Sequence, residues 1–179
     1  MDSTTHALDF PALLWAVVEQ PPGARYPFDY RPEDGAFRET RSVSLFYDRG
    51  FSGAYGWVDG LGHPPGRHCD VILLTQQSPR PGDRMLAHTC GIFYRSDGDH
   101  KVVALDDALR ATVAHPDLDE LDATMAAELR ACYPRLDPGE GWWDATEARV
   151  YLRRWDMAPA LACPRRAPVW GPGSEGAHD

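Results

Sequence analysis

The segment 96–101 places two carboxylates, Asp97 and Asp99, just before Lys101, the only lysine of the chain. A compact ammonium can bind phosphate as a point charge or lose its proton, and arginine replaces it poorly in both tasks. Paired carboxylates can hold a cation or exchange protons. The segment therefore predicts a chemical site, with an ordinary Asp-Gly hairpin turn as the alternative interpretation.

A second group of polar side chains precedes the apolar run at 71–75. His63, His68, Cys69 and Asp70 offer nitrogen, sulfur and oxygen atoms within eight residues, a donor set that suits zinc or another transition metal better than magnesium. The spacing fits no standard zinc signature, so a loop of surface histidines with one buried thiol is the preferred interpretation. His68 is also a candidate general acid or base, because histidine ordinarily titrates near neutral pH.

Short apolar segments separated by Gly and Pro turns fill the first two thirds of the chain and predict β-strands. Their spacing favours a barrel or sandwich over a parallel sheet. The run at 71–75 is continuous, which predicts a strand buried on both faces. The predicted strands cover residues 13–19, 25–30, 35–42, 44–47, 55–58, 71–75, 84–95 and 102–105.

The last third changes to helical patterning. Leu118, Leu121, Met125, Leu129 and Cys132 recur at helical spacing and predict a helix over 117–132. A second helix is predicted from about 144 to 155. The predicted organisation is an N-terminal segment at 1–12, one domain at 13–160 and a flexible tail at 161–179, rich in Pro and Gly.

Composition limits the functional classes. The chain has 179 residues, 43% of them hydrophobic, and a formal net charge of −9. This fits one globular domain and argues against nucleic acid, whose phosphates an acidic protein repels. No run approaches the roughly 18 apolar residues of a membrane span, and the N-terminus lacks the pattern of a secretory signal. We expect a cytoplasmic protein with reduced thiols that acts on a small molecule.

Several short features recur in an order that resembles the soluble family I inorganic pyrophosphatases, over roughly residues 14–155. The resemblance implies a mainly β (α+β) fold, a five-stranded OB-like closed barrel with two flanking helices, in a homo-oligomer that uses magnesium. The features are Val17-Val18-Glu19, Gly35-Ala36-Phe37 followed by Arg41, Tyr55-Gly56-Trp57-Val58, Asp70 before the apolar run, Pro81-Gly82, Gly91-Ile92-Phe93, and Asp97 and Asp99 before Lys101.

The same resemblance implies roles for individual residues. Asp70, Asp97 and Asp99 match metal-binding aspartates of the family, and Glu19 matches a carboxylate that helps to hold a metal. The matches to the phosphate contacts of the family are Arg41, Tyr55, Lys101 and Tyr133.

The departures from the family pattern are concentrated in one loop. Family members carry Asp-Gly-Asp-Pro-x-Asp where this chain has residues 65–70, of which only Asp70 keeps its carboxylate. Pro65 stands at a metal ligand, and Arg67 stands at the proton-accepting base, which a guanidinium cannot replace. Pro134 and His88 replace a family lysine and arginine. Each change raises the electrostatic cost of placing a divalent cation in the pocket.

The sequence therefore predicts a pyrophosphatase scaffold with a repurposed pocket. Carboxylates near Lys101 and Arg67 would form ion pairs without metal, or one of them would stay protonated and act as an acid. Such a pocket would run metal-independent acid/base chemistry on a small organic molecule, such as cyclisation, isomerisation or elimination. The alternatives are a magnesium-dependent pyrophosphatase or organic diphosphate hydrolase, which would keep Asp70, Asp97 and Asp99 as metal ligands, and a non-catalytic scaffold. The predicted catalytic residues are Asp70, Asp97, Asp99, Lys101 and His68, and the predicted substrate-binding residues are Glu19, Arg41, Tyr55, Arg67 and Tyr133.

Overall fold

The computed structural model describes residues 9–155 and 168–171. Among these residues, a 3-10 turn spans Leu118–Glu120. In chain order the elements are β1 (Leu13–Gln20), β2 (Phe28–Arg31), β3 (Ala36–Glu39), α1 (Leu45–Asp48), β4 (Ala54–Gly62), β5 (His68–Leu74), β6 (Arg84–Tyr94), β7 (Lys101–Asp106), α2 (Asp107–Arg110), α3 (Ala123–Cys132), β8 (Gly141–Asp144) and α4 (Ala145–Arg153).

Five strands close into a barrel. Hydrogen-bonded neighbours follow the order β1, β4, β5, β7 and β6, and β6 pairs with β1 again to complete the ring. β8 extends the sheet beyond β6, while β2 and β3 form a separate hairpin. The predicted mainly β fold with a closed five-stranded barrel is confirmed. The longer helices α3 and α4 match the two predicted helices, whereas α1 and α2 are single turns.

The register between β5 and β7 brings the predicted site residues together. These strands run parallel, with Asp70 paired with Lys101 and Val71 with Val102. Side chains at paired positions of neighbouring strands project from the same face of the sheet. The carboxylate of Asp70 and the ammonium of Lys101 are therefore neighbours because of backbone pairing alone.

β5 is buried on both faces, as its apolar run predicts. Val71 and Leu73 belong to a hydrophobic cluster that includes Leu152 of α4. Ile72, on the opposite face, belongs to a second cluster with Leu129 of α3. Burial of each such side chain stabilises the fold by about 1.5–3 kcal/mol. The strand that carries Asp70 is thus fixed between two packed layers.

Two predicted elements differ in the structure. The predicted strand at 44–47 is wrong, because Ser44 caps the helix α1: its hydroxyl accepts hydrogen bonds from the backbone N–H groups of Phe46 and Tyr47, at 3.1 and 3.3 Å. Serine is a favoured residue at this capping position. The helix predicted over 117–132 is divided into the 3-10 turn and α3, which begins after its cap residue Asp122.

The chain ends are described only in part. Residues 168–171 lie against β8, where Val169 N–H donates to Trp142 O at 2.7 Å and Trp142 N–H donates to Trp170 O at 2.9 Å. The remainder of the predicted tail at 161–179, and residues 1–8 of the predicted N-terminal segment, lie outside the described residues. Within the described ranges, no helix is both long and apolar enough to cross a membrane.

Gly56 on β4 allows the closest approach between two barrel strands. A Cβ atom at this position would lie 1.8 Å from the backbone oxygen of Val17 on β1, and the backbone has little freedom to move away. We expect Gly56→Ala to lower the free energy of unfolding by about 3 kcal/mol or more, as severe overpacking does. Urea denaturation measures this change.

Gly66→Ala is the matched control, because its Cβ would lie 3.4 Å from the His63 carbonyl oxygen, in ordinary contact. Its stability should stay close to that of the wild type. Equal losses of stability in the two variants would contradict this account of barrel closure.

Candidate functional site

Lys101 is the centre of a buried charge cluster. The residue is 5% exposed. Its ammonium donates to a carboxylate oxygen of Asp70, to Asp99 Oδ1 at 2.6 Å and to Tyr55 Oη at 3.2 Å. An ammonium has three N–H donors, and these three acceptors engage all of them. Lys101 is therefore a structural cation in this arrangement, and it has no donor left for a phosphate.

Asp70 is held as an anion by two cations. Its Oδ2 faces Lys101, and its Oδ1 lies 2.9 Å from His68 Nε2. Burial by itself raises the pKa of Asp70. The contact with His68, the charge and hydrogen bond of Lys101 and the interaction with Tyr55 outweigh it and hold the pKa of Asp70 well below the ordinary value. Asp70 stays ionised and cannot donate a proton near neutral pH.

His68 has an acceptor at each ring nitrogen. Nδ1 lies 2.7 Å from the backbone oxygen of Gly66, and Nε2 faces the Asp70 carboxylate. The contact with Asp70 lies at ion-pair distance, although among the described residues Asp70 Oδ1 accepts no hydrogen bond of regular geometry. The interaction with Asp70 is the main cause of a raised pKa for His68, opposed in part by burial. The protonated form of His68 is therefore favoured, and that form can donate a proton.

The turn between β6 and β7 carries the other two aspartates. Arg95, at the end of β6, reaches Asp97 Oδ2 at 2.8 Å and Asp99 Oδ2 at 3.0 Å. The backbone N–H of Asp99 donates to Asp97 Oδ1 at 3.0 Å, and Gly98 adopts a φ of 83° between them. The segment is therefore both an Asp-Gly turn and a wall of the charge cluster, so the two interpretations of the sequence are compatible.

These aspartates do not fit a magnesium centre with their side chains in these positions. Magnesium binds carboxylate oxygens and waters in an octahedral array. Each of the six carboxylate oxygens on Asp70, Asp97 and Asp99 already faces a lysine, arginine, histidine or backbone N–H. Within the described part of the chain, no group of three His, Cys, Asp or Glu side chains is placed to hold a metal ion. A dication would have to displace side-chain cations.

Glu19 is the carboxyl group with the most unusual environment near this cluster. It lies in β1 at a bulge, where the pairing with β4 shifts between Val18 and Gln20. Burial raises the pKa of Glu19 to about 7; the charge of His68 lowers it and the charges of Asp70 and Asp29 raise it. A carboxyl with this pKa exchanges its proton near neutral pH.

A cavity of about 390 Å³ opens beside the cluster. One part of its wall is ionic, with Asp70, Asp97 and Asp99 among its residues, and another part is aromatic. The lining consists of Gly66, Arg67, His68, Asp70, Asp97, Gly98, Asp99, His100, Tyr151 and Trp155.

The structure brings some of the predicted substrate-binding residues to the cluster and leaves others apart. Tyr55 is in the cluster, and burial raises its pKa. Tyr133 stacks on Phe93 with ring centroids 4.3 Å apart. Arg41 is exposed in the loop after β3, and no hydrogen bond or ion pair among the described residues joins it to the cluster.

Two possibilities raised for the loop 63–70 are not realised among the described residues. Arg67 does not pair with the site carboxylates; it donates to the backbone oxygen of Trp155 at 2.5 Å. His63, Cys69 and Asp70 do not converge either. Cys69 is buried in the barrel core, on the face of β5 opposite Asp70, and His63 packs against Tyr30 with ring centroids 5.7 Å apart. The alternation of side chains along a strand explains the separation of Cys69 from Asp70.

Sequence reasoning missed Arg95, Tyr151 and Trp155. Arg95 and Lys101 flank an Asp-Gly turn, so a hairpin interpretation places them at adjacent strand ends. Tyr151 and Trp155 are four residues apart, which brings their rings within 5.8 Å at the end of α4. The spacing of four residues predicts that Tyr151 and Trp155 lie side by side, but it does not indicate that this end of the helix faces the cavity.

Comparisons with known proteins bear on this site and fold. No protein-family model matches the chain. It is 26% identical over 152 residues to an inorganic pyrophosphatase of Sulfolobus acidocaldarius, a match that covers 78% of this chain and 87% of that protein. The crystal structure of an inorganic pyrophosphatase from Neisseria gonorrhoeae matches with a TM-score of 0.64 and 21% identity, over 81% of this chain and 92% of that one. An inorganic pyrophosphatase from Thermus thermophilus matches with a TM-score of 0.61 and 18% identity, over 87% and 95%.

The closed barrel and these likenesses define the class: the chain is a family I inorganic pyrophosphatase-like protein. The resemblance predicted from the sequence is confirmed, and so is an enzyme of pyrophosphatase-like type. The comparisons leave its reaction class open.

Removal of Lys101 tests the charge cluster. Lys101→Met leaves the buried Asp70 carboxylate without its main cation, so the free energy of unfolding should fall by about 3–5 kcal/mol. Adding Asp70→Asn to this variant should restore part of the loss, because the uncompensated charge is removed with its partner. Urea denaturation of both variants gives the two values.

Arg38→Met serves as the control, since it breaks the exposed ion pair of Arg38 with Asp34, which spans 2.5 Å. That change should alter stability little. A Lys101→Met variant as stable as this control would show that the cluster is not a structural unit.

Glu19 makes stability depend on pH in a defined direction. Its pKa in the folded protein, about 7, is above the ordinary 4.5. Its contribution is therefore full at low pH and is lost as the pH rises through 7. Glu19→Gln cannot ionise, so its stability relative to the wild type should increase by roughly 1–3 kcal/mol between about pH 5 and pH 8.

Thermal unfolding at several pH values measures the difference, with Glu33→Gln in an exposed turn as the control. A constant offset between Glu19→Gln and the wild type over this range would contradict the burial of an ionisable carboxyl at this position.

Proposed function

We propose that the cavity catalyses metal-independent acid/base chemistry on a small organic molecule, and that pyrophosphate hydrolysis has been lost. One observation carries this proposal: three negative charges, on Asp70, Asp97 and Asp99, are matched by the three positive charges of Lys101, Arg95 and His68. Two or more metal ions normally provide the positive charge that lets a water approach a polyanion. In this chain the positive charges of side chains face the aspartates at the positions where metal ions would be needed.

Two groups are suited to move protons: His68, which lines the cavity, and Glu19, whose charge interacts with the cavity residues His68 and Asp70. His68 is favoured as the imidazolium and lines the cavity, so it is the proposed proton donor. Glu19, with a pKa of about 7, is the proposed proton acceptor. The charges of the two groups act on each other, which supports a coupled pair. Positioned acids and bases of this kind accelerate reactions by about 10²–10⁴-fold.

The remaining cluster residues orient and fix the charge. Asp70 holds the His68 ring through Nε2, and Lys101 holds Asp70. Asp97 and Asp99 form an ionic rim that Arg95 keeps in place. Of the five residues predicted to be catalytic from the sequence, only His68 keeps a direct proton-transfer role in this proposal. Cyclisation, isomerisation and elimination are reaction classes that a proton donor and a proton acceptor can catalyse.

The alternative function is magnesium-dependent hydrolysis of pyrophosphate or an organic diphosphate. The names of the relatives favour it, and so does the presence of Asp70, Asp97 and Asp99 around one cavity. It requires Lys101 and Arg95 to release carboxylate oxygens to the metal. A non-catalytic scaffold is less well supported, because a cavity next to titratable groups is retained. A homo-oligomer in the cytoplasm remains our proposal for the assembly and its location.

Phosphate release from pyrophosphate in the presence of magnesium separates the two enzyme functions. We expect the wild type to be slower than the Sulfolobus relative by roughly 10³-fold or more, the order of magnitude lost when metal-activated water and its base are both removed. Hydrolysis at a rate comparable to that of the relative would overturn the proposal.

The double variant Pro65→Asp/Arg67→Asp returns carboxylates to the loop between β4 and β5. We expect it to gain measurable hydrolysis, because these two positions match the lost ligand and base. Pro79→Asp/Arg80→Asp makes the same exchanges in the loop before β6 and should gain none. A gain in both variants would attribute the effect to net charge and not to the site.

A further inference from the structure

Arg67 is a cation at the cavity without a carboxylate partner in the part of the chain that the structure describes. It lies in the exposed loop between β4 and β5 and lines the cavity. Within residues 9–155 and 168–171, no Asp or Glu oxygen comes within ion-pair distance of its guanidinium. Its guanidinium contacts Trp155 instead, through a hydrogen bond to the backbone oxygen at 2.5 Å and a position 4.3 Å from the centroid of the ring. A guanidinium has five N–H donors, so most of them are available to a ligand.

An aromatic surface adjoins this cation. Trp155 and Tyr151 line the cavity with ring centroids 5.8 Å apart, and the His100 ring lies 5.5 Å from that of Tyr151. Tyr94 supports the surface from behind, with its ring centroid 4.5 Å from that of His100. Tyr151 and His100 are 3% and 7% exposed, so their part is to fix the Trp155 ring, which is only partly buried. A ring fixed in this way offers contact area to a flat ligand at low cost in conformational entropy.

The ionic wall does not exclude an anion, because its charges are neutralised. Asp97 and Asp99, which face the cavity, share Arg95, and Asp99 also binds Lys101. Among the described charged residues that line the cavity, the guanidinium of Arg67 is therefore the one without a partner of opposite charge. Carboxylates match the planar fork of arginine with two parallel hydrogen bonds.

We propose that the cavity selects a flat, unsaturated organic carboxylate, with its anion on Arg67 and its ring system against Trp155. This inference rests on the proposed function, whose substrate class it names. It assigns substrate recognition to Arg67 together with the end of α4. The carboxylate would be held at the mouth of the cavity, and the carbon skeleton would extend toward His68.

Isothermal titration calorimetry with 2-naphthoate, its neutral analogue 2-naphthamide and inorganic phosphate tests the proposal. In the wild type, naphthoate should bind about tenfold or more tightly than either of the others, since it alone carries both the anion and the ring system. This comparison needs no variant. Failure of naphthoate to bind, or phosphate binding as tight as that of naphthoate, would overturn the proposal.

Variants locate the site. Arg67→Met should weaken naphthoate by about tenfold or more and leave naphthamide unchanged, whereas Arg67→Lys should fall between, because an ammonium lacks the planar fork. Trp155→Leu should weaken both aromatic ligands. Arg153→Met, an exposed change in the last turn of α4, is the matched control and should bind naphthoate as the wild type does. Unchanged naphthoate affinity in Arg67→Met would overturn the assignment.

The two proposals fail separately. If naphthoate does not bind and pyrophosphate is not hydrolysed, the carboxylate class is wrong and metal-independent chemistry stands. If pyrophosphate is hydrolysed rapidly, the proposed function is wrong whatever naphthoate does.

Discussion

The buried ion pair between Lys101 and Asp70 is the constraint on which the site depends. Parallel pairing of β5 with β7 places the two residues opposite each other, and burial of both strands leaves their charges little access to water. A buried charge is tolerated only with a partner, so each residue requires the other. His68 and Asp99 then extend the pair into a network, because each contacts one of its members.

This network determines the electrostatic arrangement around the cavity. Carboxylates that surround a cavity repel one another unless cations lie between them. In this chain Lys101, Arg95 and His68 lie there and pair with the aspartates. The same fold can therefore keep its acidic residues while the chemistry that they serve changes. Fold likeness alone does not decide between these possibilities, since function is determined by the residues of the site.

Much of the fold could be predicted from the sequence, because it depends on local patterning. The continuous run at 71–75 has no polar face, and the structure buries β5 on both sides. The segment at 44–47 could not be assigned from its apolar character, since the capping hydroxyl of Ser44 decided its conformation. Asp70 and Lys101 were predicted to converge by family resemblance; the register of β5 with β7 supplies the physical reason.

The partners within the site were harder to predict. Arg95 was missed and Arg67 was assigned to the carboxylates, although both are arginines in loops beside aspartates. Sequence proximity does not reveal which way a long side chain turns. Trp155, four residues after Tyr151 on α4, offers Arg67 a ring face and a backbone oxygen that no linear pattern indicates.

The central claim, that side-chain cations hold the carboxylates on which a dication would depend, is tested most directly by the melting temperature in magnesium. Wild-type protein would be unfolded thermally in millimolar magnesium and in sodium chloride of equal ionic strength. A ligand that binds the folded state raises the melting temperature. We predict that the two values agree within about one degree. A saturable rise of several degrees in magnesium, abolished by Asp70→Asn, would contradict the account.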